Sequence, residues 1–320
     1  MTKIVVPDDE PPVFTATAEE KRLCQLGEVV IHNSRALSDD ELLKRIADAD
    51  VALNIRSTSV FTANVMENSP KLKLISIYGV GYDNVDISAA AKLNITVTNT
   101  PAYSAISVSE MALALMLTVA RKIVQNDRTI RSGEWARGYA SQLCGKTLGV
   151  IGTGSIGQRM IQLGKAIGME VIAWTFHPSP ERASRYGVEF VSLEDIMRRS
   201  DVLSIHVLAS PETGGLISKR ELMMIKPTAI LVNTSRGSIV NETDLIEALK
   251  NGIIAGAGLD VFAAEPLPTD SPLRSLDNVV LSPHTAAMVP EATLAGLSMA
   301  VDNIANFLQG NATNVVKAGA

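Results

Sequence analysis

The segment Gly152-Thr153-Gly154-Ser155-Ile156-Gly157 constrains this chain more than any other. It follows Thr147–Ile151, which reads as an apolar strand. It precedes Met160, Ile161, Leu163 and Ile167, whose spacing predicts the apolar face of a helix. In such a strand-to-helix turn the first glycine permits the tight bend. The second lets the backbone approach a pyrophosphate, and the third lets helix and strand pack closely. N–H groups left free at the helix start then face the phosphates. The segment predicts a dinucleotide-binding unit with Gly152, Gly154, Ser155, Ile156 and Gly157 at the cofactor.

Strand-like and helix-like segments alternate on both sides of this turn, which predicts parallel α/β sheets. Before it, Lys3–Val6, Val29–His32, Val51–Asn54, Leu72–Ser76 and Thr96–Val97 read as strands. Helices are expected over Ala18–Gly27, Asp39–Ala47 and Ile87–Leu93, the last with Asp86 as its N-cap. Asn99-Thr100-Pro101 breaks the pattern and reads as a crossing between domains, followed by one long helix over about Ser107–Ser132. From Thr147 onward the expected strands are Thr147–Ile151, Glu170–Ala173, Val188–Val191, Val202–His206, Ala229–Asn233, Ala255–Leu259 and Val279–Leu281. A final helix is expected over about Glu291–Gln309.

A chain of 320 residues accommodates two such domains. Its net charge of -5 gives no electrostatic footing for nucleic acid or an anionic membrane, and neither is expected as a partner. The longest apolar stretch, Met111–Ala120, is too short to span a bilayer. The N-terminal apolar run Ile4-Val5-Val6 is followed by acids and is no signal peptide, so a cytoplasmic location is expected. Cys24 and Cys144 read as two buried, reduced thiols.

Three segments follow the glycine turn: Asn233-Thr234-Ser235-Arg236-Gly237, Ala264-Glu265-Pro266 and Ser282-Pro283-His284. A cation, an acid and an imidazole downstream of a dinucleotide site are the parts needed to move a hydride to or from a carbonyl beside a carboxylate. Arg236 would hold the anion, His284 would carry the proton and Glu265 would tune the imidazole. No metal is expected. The residue that reads the adenosine ribose should follow the strand Glu170–Trp174, where an Asp or Glu would bind the 2′-hydroxyl and repel a 2′-phosphate. Thr175 stands there instead. His177, Arg182 and Arg185 are candidates to contact a 2′-phosphate, so NAD and NADP both stay open as cofactors.

With these residues in view, the chain resembles the D-isomer-specific 2-hydroxyacid dehydrogenases, whose members include glyoxylate and hydroxypyruvate reductases, D-lactate dehydrogenases and phosphoglycerate dehydrogenases. The resemblance runs over essentially the whole length. It is carried by Ile55-Arg56-Ser57-Thr58, by Tyr78 through Asp86, by Ser107-Val108-Ser109-Glu110 and by the glycine turn. It continues through Pro211-Glu212-Thr213, the Arg236 segment, Gly258-Leu259-Asp260-Val261-Phe262, Glu265-Pro266 and Ser282-Pro283-His284.

The resemblance implies an α/β fold of two Rossmann-like, doubly wound parallel-sheet domains with the active site in the cleft between them. Residues 1–100 and 286–320 would form a discontinuous substrate domain, and 101–285 the dinucleotide-binding domain. His284 would be the acid/base, Glu265 would orient it and favour its protonated form, and Arg236 would bind the substrate carboxylate. The N–H groups of Val80 and Gly81 would complete the carboxylate cradle. Arg56 and Tyr78 are further candidates for substrate contact, with Tyr103 beside them. Thr175, Thr234 and Asp260 join the cofactor contacts, Asp260 near the nicotinamide amide. His206 reads as structural or adenine-adjacent. The implied partners are a small 2-keto or 2-hydroxy acid and a second copy of the chain, docked through the region Met111–Ser141. No C-terminal regulatory extension is expected.

Three residues depart from the family pattern: Thr175 replaces an acid, Leu208 replaces a proline, and Met288 replaces a small polar residue near His284. An NAD(H)-sensing corepressor-like protein is the competing expectation, because such relatives can keep the same triad. A formate- or phosphite-type dehydrogenase is the third reading.

Overall fold

The computed structural model describes residues 1–317. They divide into two compact units, Met1–Ser104 with the chain from Val289 onward, and Ala105–Met288. Residues 318–320 of the expected substrate domain lie outside the described residues.

The smaller unit holds β1 (Lys3–Val6), β2 (Glu28–Ile31), β3 (Val51–Asn54), β4 (Leu74–Ile77) and β5 (Thr96–Thr98). They form a parallel sheet in the order β2-β1-β3-β4-β5. Every residue of β3 and β4 is buried, as expected for central parallel strands covered on both faces. On one face Ile4, Val6, Leu53 and Leu74 pack against Leu297, Ala300, Val301 and Ile304 of the helix Pro290–Leu308. That apolar stripe, at positions three and four apart, explains why the end of the chain returns to its beginning. On the other face Val5, Ile75 and Val97 pack with Leu42, Ile46, Val65 and Met66 from the helices Asp39–Ile46 and Ala63–Glu67. Asp86 caps the helix Ile87–Lys92, its carboxylate accepting from the Ala89 N–H at 2.9 Å.

The larger unit holds β6 (Thr147–Ile151), β7 (Glu170–Trp174), β8 (Glu189–Phe190), β9 (Val202–Ile205), β10 (Ile230–Asn233), β11 (Gly256–Leu259) and β12 (Val279–Leu281). The parallel order is β12-β11-β10-β9-β6-β7-β8. Strand order reverses between β6 and β9, and crevices for ligands form at the C-terminal ends of strands at such a switch point. One face of the sheet packs Leu148, Val150, Val202 and Val232 against Ala112, Leu115 and Met116 of the helix Ala105–Ala120. The other buries Ile151, Leu203, Ile205, Leu231 and Leu259 against Ile196, Leu245 and Leu249.

Two expectations are corrected. The long helix is two helices, Ala105–Ala120 and Ile123–Arg131, separated by Lys122 at φ 53°. Burial ends at Ala120, and the Ser141 N–H takes its carbonyl at 2.9 Å, so the last turn is closed from outside the helix. The second helix buries none of its residues and is tied instead to Asp277, whose carbonyl accepts from Gln125 Nε2. The cysteines are free, as expected, but both are exposed rather than buried. Cys24 lies on the outer side of the helix Ala18–Cys24, next to the buried Leu23, and Cys144 lies in the turn leading into β6.

No helix among the described residues is long and apolar enough to cross a membrane.

Candidate active site

In the larger unit, the chain leaves β6 through the glycine turn. Gly152 has φ 92°, a left-handed conformation, and donates its N–H to the Trp174 carbonyl at the end of β7. A methyl group on Gly157 would lie 1.9 Å from the Gly152 carbonyl oxygen, so only glycine lets the helix Ser155–Ala166 start this close to the strand. Gly154 is the N-cap and brings no side chain to the first turn. Positive partial charge at the N-terminus of this helix is therefore not answered by a capping oxygen. Thr234, just past β10, is buried, and its Oγ1 has no hydrogen-bond partner. An uncapped helix start, a close glycine cradle and an orphaned buried hydroxyl fit a bound dinucleotide.

The triad comes from the ends of β10, β11 and β12. Asn233 closes β10 and shapes the next turn. Its Nδ2 donates to the Arg236 carbonyl at 2.9 Å, and its Oδ1 accepts from the Ser235 N–H at 3.0 Å and the Ser235 hydroxyl at 2.8 Å. This Asx-type turn sets where Arg236 leaves the strand end. After β11, Glu265 Oε1 accepts the Phe262 N–H at 3.0 Å, and Oε2 lies 2.7 Å from His284 Nδ1. Because a carboxylate only accepts, Nδ1 carries the proton of that bond, and Nε2 across the ring is the atom that can exchange one.

Burial pushes the Glu265 carboxyl up. The His284 hydrogen bond and charge, the Phe262 N–H and the Arg236 charge outweigh it and hold the group below the ordinary carboxylate range. Glu265 is therefore ionised through neutral pH and is paired with the imidazole.

His284 sits at φ 55°, a left-handed conformation unusual for a residue with a side chain. Asp260 imposes it. This fully buried residue accepts the His284 N–H on its backbone carbonyl at 2.7 Å. Its Oδ1 takes the Thr285 N–H at 3.0 Å and its Oδ2 the Ala286 N–H at 2.9 Å. Asp260 thus positions the imidazole, a role that its place at the end of β11 did not reveal. Asn233 and the Phe262 N–H are the other contributors that residue types alone did not single out.

His206, one residue beyond β9, donates its N–H to the Ile151 carbonyl at 2.7 Å, placing it beside the glycine turn. Its Nε2 meets the Ser204 hydroxyl at 2.7 Å, and its Nδ1 is enclosed without a partner. Burial pushes the imidazole down to about 3, so it is neutral at physiological pH and no proton carrier there.

Thr175 follows β7 directly, and no carboxylate stands there.

The expected substrate residues of the smaller unit form their own group. The turn after β4 is held by Gly79, whose N–H meets Thr100 Oγ1 at 2.9 Å, and by Asn99, whose Nδ2 meets the Val80 carbonyl at 2.7 Å. Neither Val80 nor Gly81 gives its N–H to an acceptor among the described residues. Tyr78 packs on Tyr103 with ring centroids 5.4 Å apart. Arg56 donates from Nη2 to the Pro11 carbonyl, while its Nε is buried without a partner. Among the described residues no cluster of three or more His, Cys, Asp or Glu side chains is placed to hold a metal ion.

Comparison with known proteins gives consistent results. Residues 113–286 match the family described as D-isomer specific 2-hydroxyacid dehydrogenase, NAD binding domain. The chain is 42% identical over 300 residues to a D-3-phosphoglycerate dehydrogenase of Methanocaldococcus jannaschii, a match covering 92% of this chain and 56% of that protein. It therefore spans little more than half the length of that relative. It is 41% identical over 280 residues to a glyoxylate reductase of Thermococcus litoralis, covering 84% of this chain and 83% of that one. Among solved structures, an acyclic imino acid reductase in complex with NADPH and D-Arg superposes with a TM-score of 0.90 at 30% identity, over 98% of this chain and all of that one.

Proposed function

This chain belongs to the D-isomer-specific 2-hydroxyacid dehydrogenases, an oxidoreductase family, and we propose that it reduces a 2-keto acid or oxidises the matching D-2-hydroxy acid. The observation that carries the reading is the 2.7 Å pair between Glu265 and His284, built from strand ends of the same unit that holds the glycine turn. A nicotinamide bound there supplies or accepts the hydride.

In the reductive direction Arg236 holds the substrate carboxylate, because a guanidinium fork matches it with two parallel hydrogen bonds. The carbonyl carbon takes the hydride, and the carbonyl oxygen takes the proton from His284 Nε2, which completes the alcohol. Glu265 keeps Nδ1–H and so holds the ring in the tautomer that this transfer needs. In oxidation Nε2 removes the hydroxyl proton. The N–H groups of Val80 and Gly81 are proposed as further carboxylate donors, with Arg56 and Tyr78 as substrate contacts. Gly152, Gly154, Ser155, Ile156, Gly157, Thr175, Thr234 and Asp260 are proposed at the cofactor. The absence of an acid at Thr175 supports admission of NADP as well as NAD, and the NADPH held by the imino acid reductase is in line with it.

A second copy of the chain is the proposed partner. Ile123 and Ile130 are about half exposed, Trp135 is 76% exposed and Tyr139 is 99% exposed, a concentration of apolar surface that a dimer contact would cover.

The test is the initial rate of NADH and of NADPH oxidation by the purified protein with hydroxypyruvate and with glyoxylate. Turnover with one of the four combinations is expected. Tight cofactor binding without turnover of any 2-keto acid would contradict the reading.

A further inference from the structure

The helix Pro180–Tyr186 carries two arginines that the proposed chemistry does not use, Arg182 and Arg185. Arg182 reaches back from that helix to the glycine turn. Its Nη2 donates to Thr153 Oγ1 at 2.6 Å, and its Nη1 donates to the His177 carbonyl at 2.5 Å. Its guanidinium carbon lies 5.9 Å from the centre of the Tyr186 ring and 5.7 Å from that of Phe190, so two aromatic faces hold the plane in place. The group therefore stands between the glycine turn and the end of β7. Gly152 and Trp174 also join these two segments, through a 2.9 Å backbone bond.

No carboxylate pairs with Arg182 among the described residues. Two of its five N–H groups are spent on the bonds above, and the remaining donors suit an anion of several oxygens. The segment Thr175–Val188 carries His177, Arg182 and Arg185 against the single acid Glu181, so the local field favours added negative charge. The residue that would repel such a charge, an acid directly after β7, is replaced by Thr175.

We propose that Arg182 is the cofactor-selecting residue of this chain: its guanidinium, held against Thr153 of the glycine turn, receives the 2′-phosphate of NADP(H), so that the chain binds NADPH in preference to NADH. The proposal rests on the reading that a nicotinamide dinucleotide occupies the glycine turn. The selecting charge comes from a helix, seven residues past Thr175, and is brought back by its bond to Thr153. A role confined to tethering the helix to the turn is the alternative that the experiment must separate.

The test is calorimetric titration of the intact protein with NADPH, NADH and adenosine 2′,5′-bisphosphate. The wild type is expected to bind NADPH about ten- to a hundredfold tighter than NADH, the range of a charge-assisted contact. Arg182→Gln, which keeps a donor for Thr153 and removes the charge, is expected to lose that same factor for NADPH and for the bisphosphate. Its affinity for NADH should stay within about twofold. Arg182→Ala should behave likewise if it folds. Equal wild-type affinities for the two cofactors, or a loss in Arg182→Gln shared equally by NADPH and NADH, would overturn the proposal and leave the tether. Failure of both cofactors to bind the wild type would instead remove the dinucleotide reading on which the proposal stands.

Discussion

The first β-to-α connection of each unit starts from the same topological place, the end of a strand where strand order reverses, and the two are built in opposite ways. After β6 the connection is the glycine turn, with no capping side chain at the helix start. After β1 it runs from Pro7 to Thr17, and a buried carboxylate fills it. Asp9 Oδ1 accepts the N–H groups of Val13 at 2.9 Å and Phe14 at 3.1 Å. Its Oδ2 accepts the Thr15 N–H at 2.9 Å and the Thr15 hydroxyl at 2.7 Å. The helix that follows is capped by Thr17, which accepts the Glu20 N–H at 3.2 Å. Donors that would otherwise face an anion are spent on the protein's own anion in one unit and left open in the other. Two doubly wound sheets of similar plan thus differ in the backbone donors that their first turns leave open, through a few loop residues, which is why fold alone does not assign function.

The largest effect expected is from emptying the self-filled turn. Asp9→Ala strands three backbone N–H groups, while the Thr15 hydroxyl keeps Asn33 Oδ1 as an acceptor, and should cost about 4 kcal/mol of stability by denaturant unfolding. Cofactor affinity measured below the unfolding transition should stay unchanged. A weakened cofactor site in a folded Asp9→Ala protein would break the comparison.

Next comes Gly157→Ala. Its new methyl meets the Gly152 carbonyl oxygen, so helix and strand must separate at the glycine turn. Overpacking of this kind costs about 1–3 kcal/mol, which predicts a roughly ten- to hundredfold loss of cofactor affinity by fluorescence titration.

The smallest effect belongs to His206 beside the open turn. Its folded pKa of about 3 lies below the unfolded value of 6.5, so the unfolded chain binds more protons between these limits. Its contribution is whole above pH 6.5 and is lost as pH falls toward 3. Between pH 6.5 and 4.5 the loss should be about 2 kcal/mol, and His206→Gln should flatten that part of the stability profile. An unchanged slope in the variant would mean that the imidazole is not held neutral.

These differences were unequally legible in the sequence. The glycine turn was readable because all its determinants are local: three glycines, an apolar strand before them and an apolar helix face after them. The placement of Arg236, Glu265 and His284 after strand ends was readable because each follows a short apolar segment, and parallel strands deliver such residues to one edge of a sheet. The Asp9 turn was not, since a carboxylate bonding four to six residues ahead leaves no periodic trace. The break at Lys122 depends on Ser141 closing the Ala120 carbonyl, a contact between segments about twenty residues apart. For Asp260 the family resemblance implies a cofactor contact. Its hold on the backbone of Thr285 and Ala286 became visible only in three dimensions.

The central claim is that the Glu265–His284 pair carries the proton for hydride transfer on a cofactor held by the open turn. Its most direct test is a parallel measurement on His284→Asn of 2-keto acid turnover and of cofactor affinity. The account predicts that kcat falls by about 10²–10⁴-fold while the cofactor Kd stays within about twofold of wild type. Turnover at the wild-type rate in the variant would contradict it.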